Sequence, residues 1–599
     1  MMRPFGSSFT SRLAAVRQQQ RLVVRSLSVD KRLSLQPPND SRGINLLHDP
    51  LWNKGTAFGA SERERFGIRG LLPPRMLHME DQVARFLGML EEEPDDILKA
   101  VALNELHDRN ETLFHRVLVE NIETLAPLVY TPTVGRVCQE FGDRFRRPRG
   151  MYFSTADRGH FDAMMYNWPQ KDVHICVVTD GSRILGLGDL GVNGMGIPVG
   201  KLALYCAAGG IAPHRVMPVM LDVGTNNQQL LDDPRYLGAQ HPRLSGDEYF
   251  AMVDEFMAAM RHHFPGACVQ FEDFQSEVAG EILGKYRDST LCFNDDIQGT
   301  GCVALAGLLS ALQAQGKPAE ALKDQRILVA GAGSAGLGVA AMLVEGMVQQ
   351  GLTEAEARCR FYICDKDGLI GKGREATLEL TQPHFIRTDL PAGLSLEEVA
   401  EAVKPTILLG LSSVGGLFSQ QLVETVQTSA EDEGSKGAII FPLSNPTANA
   451  ECSLRQALDW TGGRCVFASG SPFDPVARAD GTTHTPSQCN NMFIFPGLGL
   501  GLSVSGAAKC TDTTLYDVSI ALSKSLTPEE RAGGQVFPSV TRIREVSEAI
   551  ALATMESTLK QGLANKAKPS DDLEALLDRK TYYPTYVPLG SSPYRDTGR

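Results

Sequence analysis

Arg-Ile-Leu-Val-Ala-Gly-Ala-Gly-Ser-Ala-Gly, residues 326–336, decides the fold. A short apolar run leads into glycines at GxGxxG spacing, and the segment LGVAAMLVEGMV that follows has helical periodicity. Strand, glycine turn and helix in that order form the context a dinucleotide fingerprint requires. Gly331 would allow the tight turn, Gly333 the close approach of a pyrophosphate, and Gly336 the packing of helix on strand, with Ser334 opening the helix whose N-terminus faces the anion. The next apolar run, 360–364, ends at Asp365, placed to accept hydrogen bonds from adenosine ribose hydroxyls and to repel a 2′-phosphate, so NAD is expected over NADP. Lys366, Lys372 and Arg374 follow; each is expected to be a solvated surface cation, with neutralisation of a phosphate as the alternative. Runs at 406–411 and 437–441 continue the rhythm into a Rossmann-like α/β unit with a parallel sheet.

Working toward the N-terminus, short apolar runs at 216–221, 267–271 and 290–293 alternate with helical stretches and form an earlier α/β unit. HICVVT and RILGLG, separated by Asp180-Gly181, read as a β-hairpin. Residues 61–129 carry helical periodicity and form an N-terminal helical layer, and the chain from Tyr516 reads as helical, then extended. The expected divisions are 45–298, 299–490 and a C-terminal helical segment, 491–599.

Carboxylates pair at two strand ends, Glu272-Asp273 and Asp295-Asp296. Ligands of α/β sheets bind at strand C-terminal ends, and an all-oxygen set suits Mg²⁺ or Mn²⁺, although solvated helix caps use the same residues. The glycine-rich run 186–196 leads into a helix expected to begin at Pro198. Lys201 would then sit in the first turn, where the positive end of the helix dipole, aided by any nearby metal, lowers its pKa toward that of a general base, a surface lysine being the plainer reading. Arg183, at the start of the second hairpin strand, is placed to clamp a carboxylate, and Tyr130 closes the helical layer before Pro132, where half-buried packing is its ordinary role.

A net charge of −13 over 599 residues excludes a polyanion as the natural partner, so small-molecule chemistry is expected and nucleic acid is not. No stretch reads as membrane-spanning, the most apolar being 495–508. The twelve cysteines contain no CxxC pair, which fits free thiols in a reducing compartment. Residues 1–29 hold five arginines and no acid, the pattern of a mitochondrial presequence, and imply a matrix location.

KGTAF, GLLPP, LVYTPTVG, VVTDGSRILGLGDLG, GMGIPVGKL, FEDF, FNDDIQGT, GAGSAG, SNPTA, FASGSPF and NNMFIFPG occur in one order between about Lys54 and Val587 and closely resemble the malic enzyme family. The resemblance implies oxidative decarboxylation of L-malate to pyruvate with NAD, or NADP, and Mg²⁺ or Mn²⁺. Glu272, Asp273 and Asp296 would ligate the metal. Arg183, Asn445 and Asn491 would hold malate, with Asn445 also at the coenzyme. Lys201 would be the base, Tyr130 the acid, and Asp295 a partner setting the protonation of Lys201. Cys489 and Ser334 replace a common glycine and a common acidic residue of the family, and Lys366-Asp367 with Gln382 depart from the NADP pattern. Arg85 and Arg109 match two arginines that bind fumarate in some members, but Leu77 stands where the glutamate is expected, so fumarate activation is not anticipated. A homotetramer, a dimer of dimers, is implied. The competing readings are a 2-hydroxy-acid dehydrogenase without decarboxylation and an inactive dinucleotide-binding regulator.

Overall fold

The computed structural model describes residues 41–374, 382–477 and 483–589; the presequence expected at 1–29 lies outside them. The first sheet comprises β1 (Met151–Ser154), β2 (Ile175–Thr179), β3 (Val216–Asp222), β4 (Cys268–Phe271) and β5 (Cys292–Asn294). Its order is β1-β3-β2-β4-β5 and every pairing is parallel. Parallel strands covered on both faces read as continuous apolar runs, and β2 and β4 are buried throughout. All five strands therefore end on one edge, which collects Asp180, Asp222, Glu272 and Asp295.

The second sheet contains β6 (Ile327–Ala330), β7 (Phe361–Asp365), β8 (Gly368–Leu369), β9 (Ile407–Gly410), β10 (Ile439–Pro442) and β11 (Val466–Ser469). A separate small hairpin pairs β12 (Val476–Ala477) with β13 (Thr483–His484), and β14 (Ser487–Gln488) returns to the sheet edge. The order β14-β11-β10-β9-β6-β7-β8 is parallel apart from β8. The chain runs from β6 to one side and later returns to the other, which makes the C-terminal end of β6 the switch point where ligands of such sheets bind.

The hairpin expected at Asp180-Gly181 does not form. β2 pairs with β3 and β4 in parallel, while Leu185–Leu187 is a short 3-10 turn. Asp180 Oδ1 accepts the Ser182 amide at 2.9 Å, and the Arg183 N–H donates to the Asp273 carbonyl at 3.1 Å. The segment folds across the strand ends as a loop instead of returning as a strand. Arg243 holds that loop, donating to Asp189 at 2.6 and 3.0 Å and to the Asp180 carbonyl at 3.0 Å. The strands β1, β8 and β11 to β14 escaped the sequence reading, being short runs without strong alternation.

Helices Met79–Glu92, Asp96–Arg109, Glu111–Glu120 and Ile122–Val129 form the N-terminal layer. Helix Thr300–Ala314 joins the sheets, and its Leu305, Leu308, Leu309 and Leu312 are fully buried in one core shared by both units. Asp295–Ala314 is the described segment long and apolar enough to span a membrane by composition, and 78% of its apolar window is buried inside the protein. Helices Phe495–Ser505 and Ile543–Lys560 pack on the first sheet's side of the same core. All twelve cysteines are free, and only Cys359 is exposed.

Gly338, on helix Ser334–Gln349, approaches the Asp295–Gly299 turn so closely that a Cβ would meet the Ile297 carbonyl at 2.5 Å. Gly338→Val is expected to lower unfolding free energy by about 1–3 kcal/mol, measured by denaturant titration; unchanged stability would show that this contact is not tight.

His115 is buried, its Nδ1 donates to the Glu111 carbonyl at 2.8 Å, and burial pushes its pKa down to about 3. The folded state thus binds a proton less readily than the unfolded chain, so its contribution is complete above about pH 6.5 and is lost as pH falls toward 3. His115→Gln should flatten the fall of the unfolding midpoint across that window; a parallel shift with an unchanged slope would contradict this.

Candidate active site

Helix Gly196–Ala207 begins at Gly196, so Pro198 is its third residue and Lys201 its sixth, in the second turn and not the first. This corrects both sequence expectations. Lys201 Nζ donates to Glu272 at 2.7 Å and contacts Asp295 Oδ2 more closely still. Its pKa is not lowered: burial favours the neutral amine, but Asp295 and Glu272 outweigh it and hold the group well above the usual lysine value. Two adjacent carboxylates at contact distance exceed a helix-end dipole worth about 0.3–1 kcal/mol.

A buried chain of hydrogen bonds fixes this centre. Tyr205 donates to Gln270 Oε1, and Gln270 Nε2 donates to Glu272 Oε2 at 2.8 Å. On the other side the Asn491 amide donates to Asp295 Oδ2 at 2.9 Å and to Thr300 Oγ1 at 3.0 Å. Tyr130, at the C-terminal end of helix Ile122–Val129, places its ring 5.7 Å from Lys201 Nζ, and the Phe495 ring lies at 4.7 Å. Burial raises the Tyr130 phenol well above its usual value, keeping it protonated and able to act as a donor.

Glu272, Asp273 and Asp296 bring ligand oxygens within 4.8 Å of one another. Asp273 holds φ at 56°, an uncommon backbone state for a non-glycine residue, while its N–H donates to Asp296 Oδ2 at 2.8 Å. Asn294 caps the turn that follows, accepting the Ile297 amide at 2.9 Å, so both Asp295 and Asp296 are held at one strand end. Four buried or half-buried carboxylates face a single ammonium, and burial raises the pKa of Glu272 and Asp296. An excess of buried carboxylates over neighbouring cations fits a divalent cation, and an all-oxygen donor set suits Mg²⁺ or Mn²⁺.

At the switch point, Gly331 has φ 117° and its absent Cβ would meet the Leu411 carbonyl at 2.3 Å, while a Cβ on Gly336 would meet the Gly331 carbonyl at 2.1 Å. Gly333 differs: its nearest neighbours are the Arg183 guanidinium nitrogens at 3.8 Å, leaving a backbone cradle suited to a pyrophosphate at the head of helix Ser334–Gln349. Arg183 donates to Ser276 Oγ, which in turn donates to Ser334 Oγ at 3.1 Å. The strand-end edge of the first sheet and the glycine turn after β6 therefore meet at Arg183, Ser276 and Ser334.

Asp365 ends β7, and Arg374 clasps its carboxylate with bonds of 2.9 and 2.6 Å. Arg374 is therefore not the solvated cation expected, because its guanidinium matches the carboxylate in bidentate fashion. Asn445 is exposed, with its Oδ1 accepting Ser471 Oγ at 2.6 Å, and its carbonyl lies beside Gly186. Arg85 and Arg109 lie exposed on their helices, and among the described residues no hydrogen bond or ion pair joins them to the carboxylates. Gln270, Ser276 and Phe495 were missed in the sequence, since a buried amide, a helix-start serine and an apolar ring carry no spacing signal of their own.

The architecture and this edge define a dinucleotide-binding α/β protein with a carboxylate cluster able to hold a metal ion beside a buried lysine. Sequence profiles described as "Malic enzyme, N-terminal domain" and "Malic enzyme, NAD binding domain" match residues 107–287 and 297–559. The chain is 46% identical over 574 residues to NAD-dependent malic enzyme 2, mitochondrial, of Arabidopsis thaliana, covering 92% of this chain and 93% of that one. Identity is 48% over 553 residues to the NAD-dependent malic enzyme, mitochondrial, of Solanum tuberosum, covering 89% and 88%. It is 46% over 542 residues to the NADP-dependent malic enzyme of Dictyostelium discoideum, covering 90% and 98%. In fold, the crystal structure of Entamoeba histolytica malic enzyme matches with a TM-score of 0.52 at 20% identity, over 86% of this chain and 90% of that one. The chain belongs to the malic enzyme family, whose reaction is the metal-dependent oxidative decarboxylation of malate with NAD(P).

Saturating Mn²⁺ at about a hundred times its Kd should raise unfolding free energy by about 2.7 kcal/mol. Asp273→Asn should remove most of that gain in a thermal-shift titration, and an undiminished gain would place the metal elsewhere.

Proposed function

We propose that malate is oxidised and decarboxylated at this edge of the first sheet, with Lys201 as base and Tyr130 as acid. The observation that carries the reading is Lys201 Nζ held between Glu272 and Asp295, with Asp273 and Asp296 on the same strand ends. Glu272, Asp273 and Asp296 would hold the cation. When bound, the divalent cation supplies Lewis-acid polarisation of the substrate oxygen, and the nicotinamide supplies the hydride acceptor.

Lys201 takes the proton of the malate C2 hydroxyl, and Asp295 keeps the amine oriented and shares in setting its charge. With Glu272 serving as a metal ligand, Lys201 would be left with less opposing charge and would become a more competent base. After CO₂ leaves, Tyr130 delivers a proton to the enol carbon to give pyruvate. Arg183 holds a substrate carboxylate; Asn491 orients Asp295 as well as reaching malate, and Asn445 lines both substrate and coenzyme sides. Phe495 and Tyr130 exclude water around the amine.

NAD is the preferred coenzyme in this reading. Asp365 presents a carboxylate to the ribose, and Arg374 is already engaged with that carboxylate, which leaves it poorly placed to pair with a 2′-phosphate. Gly331, Gly333, Ser334 and Gly336 form the pyrophosphate turn. The division at 298/299 and 490/491, a homotetramer, and a mitochondrial matrix location after removal of 1–29 complete the reading; the mitochondrial names of the plant relatives and the arginine-rich leader support the last.

Lys201→Ala should bind dinucleotide normally yet lose malate turnover by about 10²–10⁴-fold, with kcat/KM for the wild type higher with NAD than with NADP. Turnover at the wild-type rate by the variant would remove Lys201 from its role, and a higher kcat/KM with NADP would reverse the coenzyme assignment.

A further inference from the structure

Among the described residues two groups of three metal-ligating side chains close to within 4.8 Å: the active-site carboxylates, and Asp162 with His262 and His263. The second group lies at the far end of helix Gly246–His263 from Tyr249, whose hydroxyl donates to Asp180 Oδ2 at 2.9 Å under the active-site edge. At 1.5 Å per residue that separation is about 20 Å. The two centres therefore do not share ligands.

His262 and His263 end the helix and turn different nitrogens, Nδ1 and Nε2, onto one oxygen, Asp162 Oδ1, at 2.6 and 3.1 Å. Asp162 comes from the first turn of helix Phe161–Met165. Its position is fixed from behind: Glu255 accepts the Gly159 N–H at 2.8 Å and the Phe161 N–H at 3.0 Å. Tyr166 packs edge-on against His263 with ring centroids 4.5 Å apart, and the His263 side chain is only 10% exposed. One imidazole is thus preorganised, while His262 and Asp162 face solvent.

We propose that Asp162, His262 and His263 form a second metal site, selective for a nitrogen-preferring transition-metal dication of the Zn²⁺, Ni²⁺ or Cu²⁺ class. Tetrahedral bonds of about 2.0–2.1 Å place neighbouring donors about 3.3 Å apart. Against the observed 2.6 and 3.1 Å, the two His–Asp pairs need to open by about 0.7 and 0.2 Å, and the two ring nitrogens already lie within 4.8 Å of each other. Both rings bind as neutral imidazoles through the other tautomer, so no charge has to be created on either. A His₂-carboxylate set leaves an outer position for water and discriminates against Mg²⁺, which favours oxygen ligands. The bound ion ties the end of helix Gly246–His263 to the segment carrying Phe161 and Met165, which with Phe256 and Met260 belong to one core.

The test uses chelator-treated full-length protein dialysed against Zn²⁺ in excess Mg²⁺, with metal counted per chain, and Cu²⁺ electron paramagnetic resonance as a second readout. One Zn²⁺ per chain is expected in the wild type and in Asp273→Asn. In the His262→Ala/His263→Ala double variant the affinity should fall about tenfold or more, with Mg²⁺-supported malate turnover unchanged. The Cu²⁺ spectrum should show coupling to two imidazole nitrogens in the wild type. Failure of the wild type to retain Zn²⁺, retention undiminished in the double variant, or a Cu²⁺ spectrum without nitrogen coupling overturns the site. None of these outcomes depends on the roles of Lys201 or Tyr130.

Discussion

The ammonium of Lys201, enclosed between the carboxylates of Glu272 and Asp295, is the interaction on which the rest of the site depends. A charge so completely removed from water is tolerated only when it is paired and hydrogen-bonded, and a buried pair broken on one side costs about 3–5 kcal/mol. The protein meets that demand with a ladder running from Tyr205 through Gln270 and Glu272 to Lys201, then through Asp295 to Asn491 and Thr300. Its members come from helix Gly196–Ala207, the end of β4, the Asp295–Gly299 turn, the Asn491–Phe493 turn and helix Thr300–Ala314, so the pair is held by the fold and not by local sequence. Surplus carboxylates on the same edge suit the pocket to a cation, which would redistribute the charge that holds the lysine protonated.

Parallel strand direction makes this possible. Because β2, β4 and β5 all end on one edge, the residues immediately after them converge without long connections, and the Asp295–Gly299 turn carries two of them straight into the helix that joins the sheets. The glycine turn after β6 reaches the same region through Gly338 against Ile297 and through Arg183, Ser276 and Ser334. The strand-end edge of the first sheet and the glycine turn of the second come together, with Arg183 at the junction.

Much of this was legible in the sequence. The strand–glycine–helix pattern at 326–336 carried the dinucleotide unit, and apolar runs ending in acids located the carboxylates, because fully buried parallel strands leave a one-dimensional signature. The hairpin at Asp180 failed because a local Asp-Gly signal cannot report that β2 finds its partners about forty and ninety residues downstream. The pKa of Lys201 departs from the helix-end expectation for a similar reason: the dipole argument is local, whereas Glu272 and Asp295 arrive from distant strands. Arg374 on Asp365 and Gln270 beneath Glu272 are likewise products of tertiary geometry.

Coupling between oxidation and loss of CO₂ at a metal-dependent site is what the geometry of this edge most directly implies. The most direct measurement follows reduced nicotinamide, oxaloacetate and pyruvate together as the wild-type protein acts on malate with Mn²⁺, before and after chelation. Pyruvate formed one for one with reduced nicotinamide, both abolished by chelation and restored by the cation, is the result expected. Reduced nicotinamide accompanied by oxaloacetate without pyruvate, or turnover indifferent to chelation, would contradict it.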